Sequence, residues 1–213
     1  MRRIAVLGSG PVGQTLAKGL KAHGYEVRIG TRTPEKLGEF SQANDIPVDS
    51  LAKVAAWAEG VVLAVVGRAA GAVVRQAGVG NLRGKVVIDT TNPISDAPPE
   101  DGVLQFFTGH NDSLMERLQR EFVELRFVKA FNSVGHASMV NPSFPDGTPT
   151  MFFCGNDTDA KAVVARIIDQ FGWEGADMGS AVAARAIEPL CQLWCIPGFR
   201  TNSWTHAFRL LRR

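Results

Sequence analysis

A chain of 213 residues, 45% apolar and 21% charged, has the balance of a globular protein able to bury a sizeable core. A formal net charge of +2, with basic residues scattered along the chain, excludes nucleic acid as its expected partner. Three cysteines do not make a disulfide framework at this length, no stretch offers the ~20 uninterrupted apolar residues of a membrane span, and no charged-then-apolar leader is present, so a cytoplasmic protein is expected.

The first element is a short apolar run, Ile4 to Leu7, that ends in glycines at positions 8, 10 and 13. Val12, Leu16 and Leu20 follow at i, i+4 and i+8, one face of a helix. Strand, Gly-x-Gly-x-x-Gly turn and helix in that order is the context of a dinucleotide site. In it Gly8 permits the tight turn, Gly10 lets backbone approach a pyrophosphate, and Gly13 lets helix and strand pack closely. The free N–H groups and dipole of the helix start favour the anion.

Tyr25 to Gly30 reads as the second strand, and its end decides between dinucleotides. An acid there would bind the ribose 2′-OH of NAD, and a basic residue the 2′-phosphate of NADP. The sequence has Gly30-Thr31-Arg32, then Thr33 as an N-cap and Pro34 at the first helical position. Lys36 sits in that first turn, where a cation opposes the helix dipole unless a phosphate lies nearby. Thr31, Arg32 and Lys36 therefore favour NADP over NAD.

Asp49 and Ser50 can cap a short helix through Leu51, Val54, Ala55 and Ala58. Val61 to Val66 is an unbroken apolar run, as in a parallel strand buried on both faces. A helix over Ala69 to Gln76 and a strand over Lys85 to Asp89 come next, the strand running into the polar cluster Thr90-Thr91-Asn92-Pro93. Such a cluster at the carboxyl end of a parallel strand lies where open α/β sheets bind ligands. Ile94 to Asn111 reads as a long binding or lid loop, whose Phe106 and Phe107 either cover a planar ring or anchor the loop. Ser113 and Glu116 form a capping box for a helix through Phe122, and Leu125 to Ala130 is a strand.

Lys129 to His136 again places polar groups after a strand, Asn132 and His136 among them. Asn141 to Pro149, with three prolines, is the best internal boundary. It divides a domain over residues 1–140 from a strand-helix extension over 141–213. That extension holds a strand at Thr150 to Cys154, a helix from Asp157 or Thr158 to Phe171, and a short strand at Glu174 to Asp177. From Ser180 the chain reads as helical with a kink at Pro189. Trp204, Phe208 and Leu211, at i, i+4 and i+7, suit a docked C-terminal helix or a dimer contact. Cys191 and Cys195 lack the further ligands of a zinc site, so no metal is expected.

The glycine turn, Thr-Arg-x-x-x-Lys at 31–36, Val-Lys-Ala-Phe-Asn at 128–132, Phe153 to Asp157, and Arg185 to Leu190 together resemble NADPH-dependent deazaflavin reductases. The same stretches resemble the cytosolic oxidoreductase domain of the six-transmembrane metalloreductases, where NADPH reduces a flavin. The resemblance spans nearly the whole chain. It implies an α/β Rossmann fold, doubly wound on a mostly parallel sheet with a small C-terminal α/β and helical extension. It also implies NADP(H) as cofactor, a small-molecule redox acceptor (8-hydroxy-5-deazaflavin, FMN or FAD) and a homodimer. Carried over by position, the phosphates would meet Ser9, Gly10, Pro11 and Val12, and the 2′-phosphate Thr31, Arg32 and Lys36. Nicotinamide would lie near Val65, Asn92, Pro93, Ala130 and Asn132. At Phe-Asn-Ser-Val the chain resembles the flavin-using relatives and differs from the archaeal deazaflavin enzymes. Hydride transfer between stacked rings needs no acid or base, so no proton-transfer residue is expected. Two other classes remain: an NADPH sensor without turnover, and a β-hydroxyacid dehydrogenase. The latter needs a lysine on the helix after the Rossmann domain, where Gly179 to Leu190 offers only Arg185 and Glu188.

Overall fold

The computed structural model describes residues 1–213. Eight strands form one sheet: β1 (Arg3–Leu7), β2 (Glu26–Thr31), β3 (Val48–Ser50), β4 (Gly60–Leu63), β5 (Val86–Asp89), β6 (Arg126–Lys129), β7 (Thr150–Gly155) and β8 (Glu174–Asp177). Their order is β3-β2-β1-β4-β5-β6-β7-β8. All neighbours are parallel except β6 and β7, which pair over Val128–Gly155 and Lys129–Cys154. The chain winds outward from β1 to β3, then returns to β4 and winds the other way. The reversal leaves a crevice at the carboxyl ends of β1 and β4, the point where such sheets hold ligands. The doubly wound, mostly parallel α/β architecture is therefore the one expected.

Period-two alternation along β1 divides the core. Ile4 and Val6 face one layer with Leu16 and Leu20 of α1 (Pro11–Ala22) and Val164, Ile167 and Ile168 of α7 (Thr158–Gln170). Ala5 and Leu7 face the other, with α3 (Leu51–Trp57), α4 (Ala70–Ala77) and α6 (Leu114–Glu121). All four residues of β4 and all four of β5 are buried between two helical layers, the apolar residues as such a position requires and Asp89 at the end of β5 as the one charge among them. The shorter helices are α2 (Gly38–Asn44), α5 (Val79–Leu82), α8 (Ala184–Ile187) and α9 (Pro189–Thr201).

Both side-chain caps expected in the second half form. Ser113 Oγ accepts from Glu116 N, and an Asp157 carboxylate oxygen accepts from Ala160 N at 2.7 Å. Elsewhere local patterns misled. Thr33 makes no cap bond, and Pro34–Leu37 is a 3-10 turn before α2. Ser50 makes none either, and Val48–Ser50 pairs with β2 as an unforeseen strand. β4 stops at Leu63 because the chain then turns outward, leaving Val66 62% exposed. The interruption expected at Pro189 is present: the helix divides there into α8 and α9, with Glu188 keeping helical angles. The helix expected over 204–211 does not form. Asn202 ends α9 in the left-handed region, and the tail runs beside β7, with Thr150 N bonded to Phe208 O and Leu210 N to Thr150 Oγ1.

The free thiols differ sharply in setting. Burial pushes the Cys154 thiol up to about 12, and a hydrogen bond with Cys195 together with burial raises Cys191. The same bond lowers Cys195, which is also partly exposed. Alkylation of the native protein with iodoacetamide, followed by peptide mapping, should label Cys195 first and leave Cys154 unlabelled until unfolding.

Candidate active site

The crevice is a cavity of about 680 Å³. Its floor is the turn after β1, where Gly8, Ser9, Gly10, Pro11 and Val12 line it. Gly8 adopts φ +136°, and a Cβ there would stand 2.0 Å from Ala64 O. Gly13 does not line the cavity. Its part is packing, since a Cβ would meet Gly8 O at 2.3 Å. Gly10 differs from both: a Cβ on it would meet nothing within 4 Å. The space above Gly10 is open where α1 begins, and the first turn of α1 carries no acidic residue. An anion of pyrophosphate size fits that approach, on backbone N–H groups and the positive end of the helix.

Thr31, Arg32 and Lys36 line one end of the same cavity. Thr31 Oγ1 donates to Ser9 Oγ at 3.3 Å and so ties the end of β2 to the glycine turn. Arg32 and Lys36 are exposed, and neither enters an ion pair. By contrast Arg68, also on the cavity wall, is already neutralised by Asp96. Two unpaired cations beside a helix start make the local charge that a phosphate monoester needs.

Val65 and Asn92 line the opposite end, with Thr90 and Thr91. Pro93, Ala130 and Asn132 do not reach the cavity surface and are buried. Asn132 acts one layer back. Its Nδ2 donates to Asn92 Oδ1 at 3.0 Å and to Ile187 O at 3.0 Å, while Asn92 Nδ2 donates to Asn132 O at 2.8 Å. The residue before it, Phe131, is 1% exposed yet has φ +60°, a strained angle for a bulky side chain. His136 is exposed on a 3-10 turn and lines neither this cavity nor a second, polar one of about 250 Å³. Phe106 borders that second cavity, and Phe107 packs on the core beneath Arg117.

A profile described as NADP oxidoreductase, coenzyme F420-dependent, matches residues 3–93. A crystal structure from Arthrobacter sp. FB24, described as a candidate F420-dependent NADP reductase, is 34% identical and superposes with a TM-score of 0.92 over the whole of both chains. The chain belongs to the F420-dependent NADP oxidoreductase family. As a member of that family it is an NADP-dependent oxidoreductase. Metalloreductase STEAP3 of Rattus norvegicus is 30% identical over 200 residues, which make up 92% of this chain and 38% of that relative. The chain thus spans well under half the length of that curated relative. A hypothetical protein of Sinorhizobium meliloti is 25% identical, with a TM-score of 0.73 over 86% of this chain and 87% of its own. No helix of this family member is long and apolar enough to cross a membrane.

Three charged residues were named in the sequence reading without being joined. Lys129, at the end of β6, is wholly buried, with Nζ 2.7 Å from Asp89 Oδ2 and 3.0 Å from Glu188 Oε1. Burial alone would lower its pKa, but the two carboxylates outweigh burial and hold its pKa above the usual lysine value. Glu188 also accepts from Leu114 N and Met115 N, so its carboxylate caps the start of α6. The signal was present in the sequence: Asp89, Lys129 and Glu188 are charges that close or interrupt three strongly apolar runs.

Proposed function

We propose that this chain binds NADPH in the 680 Å³ crevice and passes its hydride to a deazaflavin or flavin ring brought to the Asn92 end. The observation that carries the reading is the polarity of a single cavity, with an open glycine and two unpaired cations at one end and neutral, hydrogen-bonded groups at the other. In this reading Ser9, Gly10, Pro11 and Val12 hold the pyrophosphate through the start of α1. Thr31, Arg32 and Lys36 take the 2′-phosphate. Val65 and Asn92 flank the nicotinamide, with Pro93, Ala130 and Asn132 supporting them from behind. Gly8 shapes the turn and lines the cavity beside the phosphates, and Gly13 lets the turn pack closely behind it.

NADPH supplies a hydride from nicotinamide C4 when bound. The chain's own task is to fix that ring against the acceptor and exclude water, and orientation of this kind can take ~7–11 kcal/mol off the barrier. No side chain has to move a proton. The dehydrogenase alternative loses ground on one point: Lys129 has no exposure and faces carboxylates, so it cannot act on a substrate in the cavity. We also assign residues 1–140 to the NADP domain and 141–213 to the extension packed on it. A homodimer is in keeping with the exposed Leu193 and Phe199 of α9, a helix apolar nearly all round.

Titration with NADPH and NADH, followed by stopped-flow mixing with deazaflavin, FMN, FAD and ferric chelates, tests the reading. NADPH should bind more tightly than NADH by the worth of a charge-assisted contact, ~1.5–3 kcal/mol or roughly tenfold to a hundredfold. Arg32→Ala should remove most of that margin and leave NADH unaffected. Equal wild-type affinities would overturn the NADP assignment, and NADPH binding without oxidation by any acceptor would favour a sensor.

A further inference from the structure

The buried lysine lies on a closed circuit of bonds around the Asn92 end of the cavity. From Lys129 Nζ one arm donates to Thr91 O at 2.6 Å and pairs with Asp89. Asp89 Oδ1 in turn accepts from Thr91 N at 2.9 Å and Thr91 Oγ1 at 2.6 Å, so Thr91, just past the end of β5, is held at its N–H, its hydroxyl and its carbonyl before Asn92. The other arm runs from Lys129 to Glu188, along the backbone to Ile187 O, and then through Asn132 Nδ2 to Asn92 Oδ1. Asn92 closes the circuit, because it follows Thr91 in the chain. Its backbone position is set through Thr91 and its carboxamide through Asn132.

Three elements that are distant in sequence therefore meet at one ammonium group: the end of β5, the end of β6, and the junction of α8 with α9. Buried charge networks of this kind fix geometry more than they add stability, since desolvation consumes most of the Coulombic gain. The part of the molecule being fixed is the cavity wall opposite Arg32 and Lys36. Lys129 itself touches no space open to a ligand.

We propose that Lys129 is the positioning residue for the nicotinamide end of the site, acting through Thr91 and Asn132 to set the aim of the Asn92 carboxamide. The proposal rests on the NADP reading given above. It separates the dinucleotide into a half that Lys129 governs and a half that it does not. The adenosine 2′-phosphate half belongs to β2 and the glycine turn, which the circuit never reaches.

Two ligands divide the molecule at that line. 2′,5′-ADP carries the adenosine and its phosphate but no nicotinamide, whereas NADPH carries both. Binding of each is measured by calorimetry to wild type, Lys129→Met and Asn132→Ala, with thermal melts defining the temperature at which each variant is folded. Both variants should keep wild-type affinity for 2′,5′-ADP and lose ~tenfold for NADPH. Asn132→Ala cuts the second arm without exposing a buried charge, so it decides the matter if Lys129→Met does not fold. An unchanged ratio of the two affinities in Asn132→Ala, or an equal fall in both, overturns the proposal, because general damage to the fold does not distinguish the ligands. A wild-type protein that binds neither ligand overturns the NADP reading itself and leaves a distinct signature.

Discussion

Gly10→Ala is expected to fold normally and lose NADPH, whereas Gly8→Ala, two residues earlier, is expected not to fold. At Gly10 the backbone is extended (φ −76°, ψ 176°), which alanine adopts freely, and the added methyl meets no protein atom within 4 Å. Replacing glycine by alanine at an N-cap costs at most about 1 kcal/mol of stability. The methyl instead fills the space left for a phosphate oxygen, and overpacking of a tight site costs about 2–3 kcal/mol, close to a hundredfold in affinity. At Gly8 the methyl would lie 2.0 Å from Ala64 O, at φ +136°. That combines a backbone clash with a forbidden angle and lies in the tail of mutational effects above ~4 kcal/mol, a large part of a domain's total of ~5–15. Melting curves and a fluorescence titration with NADPH check both. A Gly10→Ala protein that binds NADPH like wild type would remove the pyrophosphate from this turn.

Lys129→Met should destabilise the protein by about 3–5 kcal/mol, the range found when one partner of a buried ion pair is removed. The loss comes from Asp89 and Glu188, which stay buried at 0% and 1% side-chain exposure without their cation. Glu188 retains one N–H on each carboxylate oxygen, from Leu114 and Met115, whereas Asp89 keeps only the Thr91 donors on Oδ1 and its Oδ2 is left bare, so Asp89 is the worse placed of the two. Lys129→Met with Asp89→Asn should therefore be more stable than Lys129→Met alone, a coupling that a double-mutant cycle in urea measures directly. The pH dependence also has a definite sign. In wild type the folded lysine pKa is raised, so its contribution is complete below the unfolded value of ~10.4 and is lost as pH rises through the folded one. A single variant as stable as wild type near neutral pH would show that the lysine balances no charge there.

What could be read beforehand was local. The glycine turn, the strand-helix alternation and the side-chain caps at Ser113 and Asp157 each depend on residues within one turn of one another, and each is found in the structure. β3 was missed because three residues have no periodicity of their own, and only the register against Ile29, Gly30 and Thr31 makes them a strand. The tail was misread because Trp204 has a helical spacing to Phe208 but packs sideways on Trp194 and Phe199, at 5.6 and 5.4 Å between ring centres. Candidate residues at the ends of β1, β2 and β4 fell on the cavity wall. Ala130 and Asn132 at the end of β6 did not, because the cavity reaches β5 and stops there. The Lys129 circuit joins residues from three separate stretches, and a pattern within any one of them carries no sign of the other two.

The left-handed turn at Phe131 gives the molecule a lever far from its crevice. A bulky residue holds that angle at a cost of about 1–3 kcal/mol only while its surroundings leave no alternative. Here the constraint is the ring's burial against Phe171, 5.7 Å away, and a backbone N–H aimed at Met151 Sδ. Phe171 stands at the end of α7, outside the cavity wall. Loosening that aromatic contact would let the backbone relax at Phe131 and swing the next residue, Asn132, away from Asn92. The firmness of packing between α7 and the sheet and the sharpness of the site are thus one mechanical property, and a change made for the first will be felt in the second.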